Sequence, residues 1–347
     1  MDDRPLAVLG ATGFTGRLVC EHARELGLPL RLVGRRRNAL EALAQDGEEV
    51  RVADAAQEAS LIAAFDGAFA VATTAGPFMV AGPKVVGAAI AVGAHYLDTS
   101  AEQPFARLVF EGFDESAEER EAVLLTSFGF LYAPGDLLAR LAAEGLEEPL
   151  EEIVVGYSVS GSAVSAGTRR TMGRVVTQPL VAYEDGLVPS RFGKTTRRLR
   201  FPAGERDTIE WNGTEPLTVP RHTHVRRVRS YVKAPRVASW LALGAPLAAP
   251  LIRLSGRVGL NPSEAGRKRA KVAVVAEARS GGRARRATLS GHDYYGLTGL
   301  LVARGAEALQ AGEARGTGAL APAEAFDART FVERLRPLVD DVSVSEL

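Results

Sequence analysis

Cysteine is almost absent: Cys20 is the only one in 347 residues, so no disulfide can form within the chain and no cysteine-rich metal site can be assembled. It falls on the apolar side of the first predicted helix and reads as a small core residue rather than a nucleophile. The five histidines show no metal-ligand spacing; the pair in His222-Thr223-His224 lacks a third ligand, and His95 and His292 stand apart, so no metal is expected. Net charge is also missing, with 42 Lys and Arg against 42 Asp and Glu. No long apolar run is present. The most apolar stretch, Val237 to Ile252, is broken by Pro246 and Pro250 and is too short to span a bilayer. The start Met1-Asp2-Asp3 has no apolar leader behind it, from which a cytoplasmic location is expected.

What is present begins at Leu6. Leu6-Ala7-Val8-Leu9 is an apolar run that reads as a buried strand, and it passes through Gly10-Ala11-Thr12-Gly13-Phe14-Thr15-Gly16 into a helical pattern. Glycines at a strand-to-helix turn permit a tight turn, close approach of a phosphate to backbone N–H groups, and close helix-strand contact. The helix start adds free amides and the positive end of its dipole. This is the expected site of a dinucleotide pyrophosphate.

A second strand, Leu30 to Val33, runs into Gly34-Arg35-Arg36-Arg37. An NAD-preferring site usually has a carboxylate there for the ribose 2′-hydroxyl. Here there are cations instead, and Arg35 and Arg36 suit the 2′-phosphate of NADP, which a guanidinium grips in bidentate fashion. A solvated basic turn ahead of a helix at 38–44 is the plainer alternative.

Strands near 6–9, 30–33, 49–52, 69–73, 95–98 and 123–127 alternate with helical stretches, the pattern of a doubly wound parallel sheet. After Pro149 the pattern changes to strands at 153–160, 225–232, 271–278 and 283–290, with turn signals at Glu184-Asp185-Gly186 and Ser280-Gly281-Gly282 and a helix at 168–176. This predicts a dinucleotide-binding domain over 1–148, a mostly antiparallel α+β substrate and association domain over 149–322, and a C-terminal helix over 323–347 returning toward the first domain. A connecting helix is predicted at 137–144 with Asp136 as its N-cap, closing helices at 296–310 and 327–335, and Lys84 is read as exposed.

Charge is distributed unevenly. Residues 101–152 hold thirteen acids against three bases, and residues 190–286 hold twenty-two Lys and Arg against six acids. The cationic lobe suits an anionic substrate, a phosphopantetheine carrier or an acidic membrane surface, with solvated strand faces as the alternative. Nucleic acid is disfavoured, since no recognition module accompanies the basic residues. The segment 237–252, flanked by Lys233, Arg236, Arg253 and Arg257, is a candidate peripheral membrane or acyl-chain-covering element, against a core helix or a homodimer contact.

Several separated segments resemble the saccharopine dehydrogenase-like oxidoreductases, particularly the shorter bacterial members and the trans-acting enoyl reductases of complex-lipid synthesis. They are Gly10 to Gly16, Val33-Gly34-Arg35, Ala75-Gly76-Pro77-Phe78, Ala94 to Glu102, Gly129 to Leu137, Ser165 to Thr168, and Gly316 to Phe326. The resemblance implies an N-terminal NADP-binding Rossmann domain. In it Gly10, Thr12, Gly13, Phe14 and Thr15 line the pyrophosphate, and Arg35 the adenosine phosphate, beside Gly16 and Arg36 read from the residues themselves. Asp54 meets the adenine, and Thr74, Ala75, Gly76 and Pro77 border the ribose and nicotinamide. One departure stands out: where the family often has Asp-Ser-Ile-Pro-Ser-Asp, this chain has Leu131-Tyr132-Ala133-Pro134-Gly135-Asp136, with two polar side chains fewer.

Candidate proton donors are Tyr96, Asp98, Glu102 and Tyr132, each with a structural role as the alternative. No tyrosine is followed four residues later by lysine, and no Gly-x-Ser-x-Gly occurs, which disfavours a short-chain dehydrogenase and a hydrolase. The apolar 237–252 segment favours reduction of a C=C bond in a hydrophobic acyl or polyketide-type substrate, free or carrier-linked. Reduction of a carbonyl or imine in amino-acid metabolism, and a non-catalytic NADP-binding docking protein, are the alternatives.

Overall fold

The computed structural model describes residues 3–161, 165, 177–234 and 261–347. The helix expected at 168–176, most of the Ser165 to Thr168 segment and the apolar stretch 237–252 lie outside the described residues. The described chain forms two compact units, 1–130 with 295–320, and 131–294 with 321–347.

In the first unit the chain alternates through β1 (Leu6–Leu9), α1 (Phe14–Glu25), β2 (Leu30–Gly34), α2 (Arg37–Glu41), β3 (Glu49–Val52), α3 (Glu58–Phe65), β4 (Ala70–Thr73), α4 (Phe78–Ala91), β5 (His95–Asp98), α5 (Gln103–Gly112), α6 (Asp114–Glu118) and β6 (Val123–Leu125). Every strand pair in its sheet is parallel. Helices on both faces require near-continuous apolar strands, and the central β1 and β4 are buried at all four positions, whereas the edge strand β3, Glu-Val-Arg-Val, is half exposed. The order is β3-β2-β1-β4-β5-β6, so the winding reverses between β1 and β4. Leu9 stands opposite Val33 and Thr73, and Thr73 opposite Asp98, which brings the loops after β1, β2, β4 and β5 to one edge.

The second unit holds α7 (Ala133–Ala143), β7 (Glu152–Ser160), β8 (Leu180–Glu184), β9 (Leu187–Ser190), β10 (Thr196–Phe201), β11 (Gly204–Glu210), α8 (Glu215–His222), β12 (Arg227–Lys233), α9 (Glu264–Lys268), β13 (Lys271–Ser280) and β14 (Arg283–His292). The chain then returns to the first unit as α10 (Tyr294–Gln310), from Tyr295 onward, and β15 (Gly318–Ala319), which pairs with β6 as a seventh strand. It ends in the second unit as α11 (Pro322–Ala325), α12 (Ala328–Glu333) and β16 (Val339–Glu346). The second sheet has nine strands, antiparallel except for the parallel pair β7 and β12, over a core of Val154, Leu199, Phe201, Tyr231 and Val275.

Three expectations are corrected. The chain changes unit after Phe130, not at 148, because the stretch from Leu131 starts a helix that packs in the second unit. The return to the first unit is made by α10, not by 323–347; the last residues form β16, antiparallel to β14. Asp136 is not an N-cap: Pro134 opens α7 a turn earlier than the sequence pattern suggested, and the Asp136 carboxylate is used elsewhere in the unit. Cys20 is fully buried, and burial pushes its thiol up to about 12, in keeping with a core residue. Among the described residues no helix is long and apolar enough to cross a membrane.

Candidate functional site

The first unit collects its expected ligand-binding residues at the carboxyl edge of the parallel sheet. Gly10 leaves β1 with φ +87°, a conformation other residues avoid, and its amide donates to the Val33 carbonyl at 2.9 Å. Gly13 N donates back to Gly10 O at 2.8 Å, closing the turn. A Cβ on Gly16 would collide with the Gly10 carbonyl, so the first turn of α1 lies directly on the loop only because residue 16 is glycine. No side chain caps α1, and no acid lies in its first turn. An open helix start with a cradle that a Cβ would fill is the arrangement a pyrophosphate requires. Thr12, Phe14 and Thr15 are half-buried around it, with Phe14 edge-on to Tyr295 of α10 at 5.0 Å.

Arg35 and Arg36 are exposed at the end of β2, and neither guanidinium has an ion-pair partner among the described residues; Arg37 leans on Glu41. Asp54, half-buried after β3, spends one oxygen on the Ala56 amide at 3.0 Å. Thr74 N donates to Leu9 O at 3.1 Å, which ties the Thr74-Ala75-Gly76-Pro77 loop to the end of β1 beside the glycine turn. All thirteen residues read as cofactor-binding therefore lie at one edge of one unit.

The proton-donor candidates fare differently. Tyr96 and Asp98 of β5 are wholly buried. Asp98 Oδ1 accepts the amides of Ser100 at 2.7 Å and Ser127 at 2.9 Å, pinning the loops after β5 and β6 together. Burial pushes its carboxyl up to about 6, and these amides with the nearby hydroxyls of Thr126 and Tyr96 limit the rise. Neither hydroxyl is aligned for an ordinary bond. Burial also raises the Tyr96 phenol well above its usual value. Glu102 is buried, with Oε1 accepting from Phe78 N at 3.0 Å and Oε2 accepting from Met79 N at 3.2 Å. These three are interior supports, and none presents an accessible acid.

Tyr132, the fourth candidate, belongs to the second unit and heads a polar cluster that sequence reasoning missed. Its hydroxyl accepts from Trp211 Nε1 at 3.3 Å, and its carbonyl accepts from Tyr157 Oη at 3.2 Å. Tyr157 also bonds Glu215 Oε1, and Ser230 Oγ donates to Glu215 Oε2 at 2.8 Å while accepting from Gly213 N at 2.9 Å. Glu215 is wholly buried, and burial pushes its carboxyl up to about 7. Tyr157 has one hydroxyl hydrogen for two acceptors. When Glu215 is protonated it donates to Tyr157, which passes its hydrogen to the Tyr132 carbonyl; when Glu215 ionises, Tyr157 must turn its hydrogen to the carboxylate. Asp136 lies in the same unit, with Oδ1 3.0 Å from His222 Nε2 and Oδ2 accepting Ala323 N at 2.8 Å.

Glu210 is buried too, held by Ser190, Thr195, Asn212 and Arg229. A usable signal existed: the cationic lobe has few acids, and Glu210, Glu215 and Glu277 among them are buried. Other cations of that lobe pair with acids outside 190–286, as Arg197 with Glu152 and Arg229 with Glu184, so its surplus charge is partly neutralised.

Comparison with known proteins agrees with this geometry. Residues 10–129 match the family described as NAD(P)H-binding. A trans-acting enoyl reductase of Mycobacterium tuberculosis is 27% identical over 298 residues, covering 74% of this chain and 71% of the relative. One from Mycobacterium ulcerans is 32% identical over 214 residues, covering 57% of this chain and 50% of the relative. Saccharopine dehydrogenase (L-Glu forming) from Saccharomyces cerevisiae has the same fold, with a TM-score of 0.63 and 13% identity over 99% of this chain and 100% of that one. The chain thus matches an NAD(P)H-binding family over residues 10–129, has the fold of saccharopine dehydrogenase, and is similar in sequence to the trans-acting enoyl reductases.

Proposed function

We propose that the chain binds NADPH and reduces a carbon–carbon double bond in a hydrophobic acyl or polyketide-type substrate, free or carried on a phosphopantetheine thioester. The observation that carries this reading is the make-up of the carboxyl edge of the sheet in the first unit. The glycine turn and the uncapped start of α1 suit the pyrophosphate, and two exposed guanidinia stand where a 2′-phosphate would be gripped. Directly after the Thr74 to Pro77 loop, Met79 and Val80 are 43% and 72% exposed, giving that end an apolar rim. Similarity to the trans-acting enoyl reductases points the same way.

When bound, the reduced nicotinamide would supply the hydride, and solvent water the proton that completes the saturated product. The chain's own residues hold and orient. The Gly10 to Gly16 amides take the pyrophosphate, Arg35 and Arg36 the adenosine phosphate, and Thr74 to Pro77 border the ribose and nicotinamide. Tyr96, Asp98 and Glu102 keep the loops around that edge in place rather than delivering the substrate's proton.

NADPH oxidation measured with α,β-unsaturated acyl thioesters, 2-oxo acids with an amine, and ketones tests the reading. Turnover confined to the unsaturated thioesters is expected. Turnover with imines or ketones alone would replace it with a saccharopine dehydrogenase-like reduction, and tight NADPH binding without turnover on any acceptor would favour a docking protein.

A further inference from the structure

Of the helices that start at the carboxyl edge of the first sheet, α1 and α4 are finished in opposite ways. α1 is left open. α4 begins after Pro77, which has no side-chain acceptor, and its cap comes from the loop after β5, where both Glu102 oxygens accept the Phe78 and Met79 amides. Glu102 also starts α5: its carbonyl accepts from Phe105 N at 2.9 Å and Ala106 N at 3.1 Å, and its own amide donates to Ser100 Oγ at 3.0 Å. The Phe78 and Phe105 rings lie 5.8 Å apart in a tilted contact, and a Cβ on Gly82 would strike Phe105, so the two helices are packed hard together. The loop 74–77 is thus held at one end by Leu9 O through Thr74 N, and at the other by Glu102 through the first turn of α4.

We propose that Glu102 is a positioning residue for the nicotinamide half of the cofactor, fixing the Thr74 to Pro77 loop against it while leaving the adenosine half untouched. The proposal rests on the cofactor reading above. A carboxylate on two helix amides makes charge-assisted bonds and complements the helix dipole. Without it the α4 amides turn to water, and a displacement of about 1 Å in the loop is enough to spoil alignment at the reacting carbon. The adenosine half is served by α1, Arg35 and Arg36, none of which Glu102 touches.

The test compares dissociation constants for NADPH and for adenosine 2′,5′-bisphosphate, which carries only the adenosine half, in the unaltered chain, Glu102→Gln and Glu102→Ala. Glutamine keeps one acceptor but turns an amide toward the helix; alanine vacates the site. NADPH binding is expected to weaken about threefold in Glu102→Gln and about tenfold in Glu102→Ala, with adenosine 2′,5′-bisphosphate within about twofold of the unaltered chain. Added formate is expected to restore NADPH binding in Glu102→Ala alone. Equal weakening of both ligands would reduce Glu102 to a structural cap, and no weakening of either would remove the role altogether. If Glu102→Ala does not fold, Glu102→Gln decides on the same terms. An unaltered chain that binds neither ligand overturns the cofactor reading itself, a result distinct from both.

Discussion

The glycine turn of the first unit and the carboxyl cluster of the second treat polar groups in opposite ways. In the first unit, the start of α1 has no side-chain cap and, among the described residues, Arg35 and Arg36 have no ion-pair partner at the edge of the sheet. In the second, Glu210, Glu215 and Asp136 are buried and their oxygens are matched by hydroxyls, amides, Arg229 and His222. Unpaired donors at a surface are cheap because water serves them, and they remain available to a ligand. Buried acceptors must be matched on folding, so they report stability instead.

That contrast is tested most severely at Glu215. Glu215→Leu leaves the Ser230 hydroxyl buried without its carboxyl acceptor and Tyr157 with only the Tyr132 carbonyl, and chemical denaturation is expected to show a loss of about 3 kcal/mol. Glu215→Gln mimics the protonated carboxyl and should fold near normally. The Glu215 carboxyl titrates higher in the folded chain, at about 7, than its ordinary 4.5, so its contribution is fully present below that ordinary value and is lost as pH rises through about 7. The glutamine variant should therefore lose this pH dependence and exceed the unaltered chain in melting temperature at pH 8. A variant that tracks the unaltered chain from pH 5 to 8 would break the proton assignment.

Next in size is Gly16→Val. The added side chain meets the Gly10 carbonyl and forces α1 off the turn, so NADPH affinity measured by fluorescence titration should fall about a hundredfold. Arg35→Ala with Arg36→Ala should weaken NADPH about tenfold and leave NADH nearly unchanged, because these exposed side chains are assigned only to the extra phosphate. The smallest effect is at Asp98. Asp98→Asn keeps the oxygen that holds Ser100 and Ser127, so thermal unfolding should move by less than about 1 kcal/mol. The folded carboxyl titrates at about 6 against an ordinary 3.8, so stability drawn from it declines as pH rises between those values, and the asparagine variant should flatten that slope.

Legibility followed locality. Strands β1 to β5 were readable nearly to the residue, because an apolar run closed by a glycine or charged turn is a short-range signal. The hairpin of β13 and β14 was readable from Ser280-Gly281-Gly282 for the same reason. Asp136 misled because a helix N-cap and a buried partner of His222 look alike along the chain; only the fold brings positions 136, 222 and 323 together. The bonds Glu102 makes were not legible, since the amides that donate to it lie 24 and 23 residues back on another helix. The final strand carried a signal that was passed over, the alternation Val342-Ser343-Val344-Ser345, which pairs with β14. The Glu215 cluster is assembled from β7, β12, α8 and the residue before α7, and no spacing in the sequence announces it.

The central claim is that the edge of the first sheet is a site for a phosphorylated nicotinamide dinucleotide. Calorimetric titration of the purified chain with NADPH and NADH in parallel tests it most directly. A single NADPH site at least about tenfold tighter than NADH is predicted. Equal affinities would contradict the role given to Arg35 and Arg36, and no heat of binding from either would contradict the claim itself.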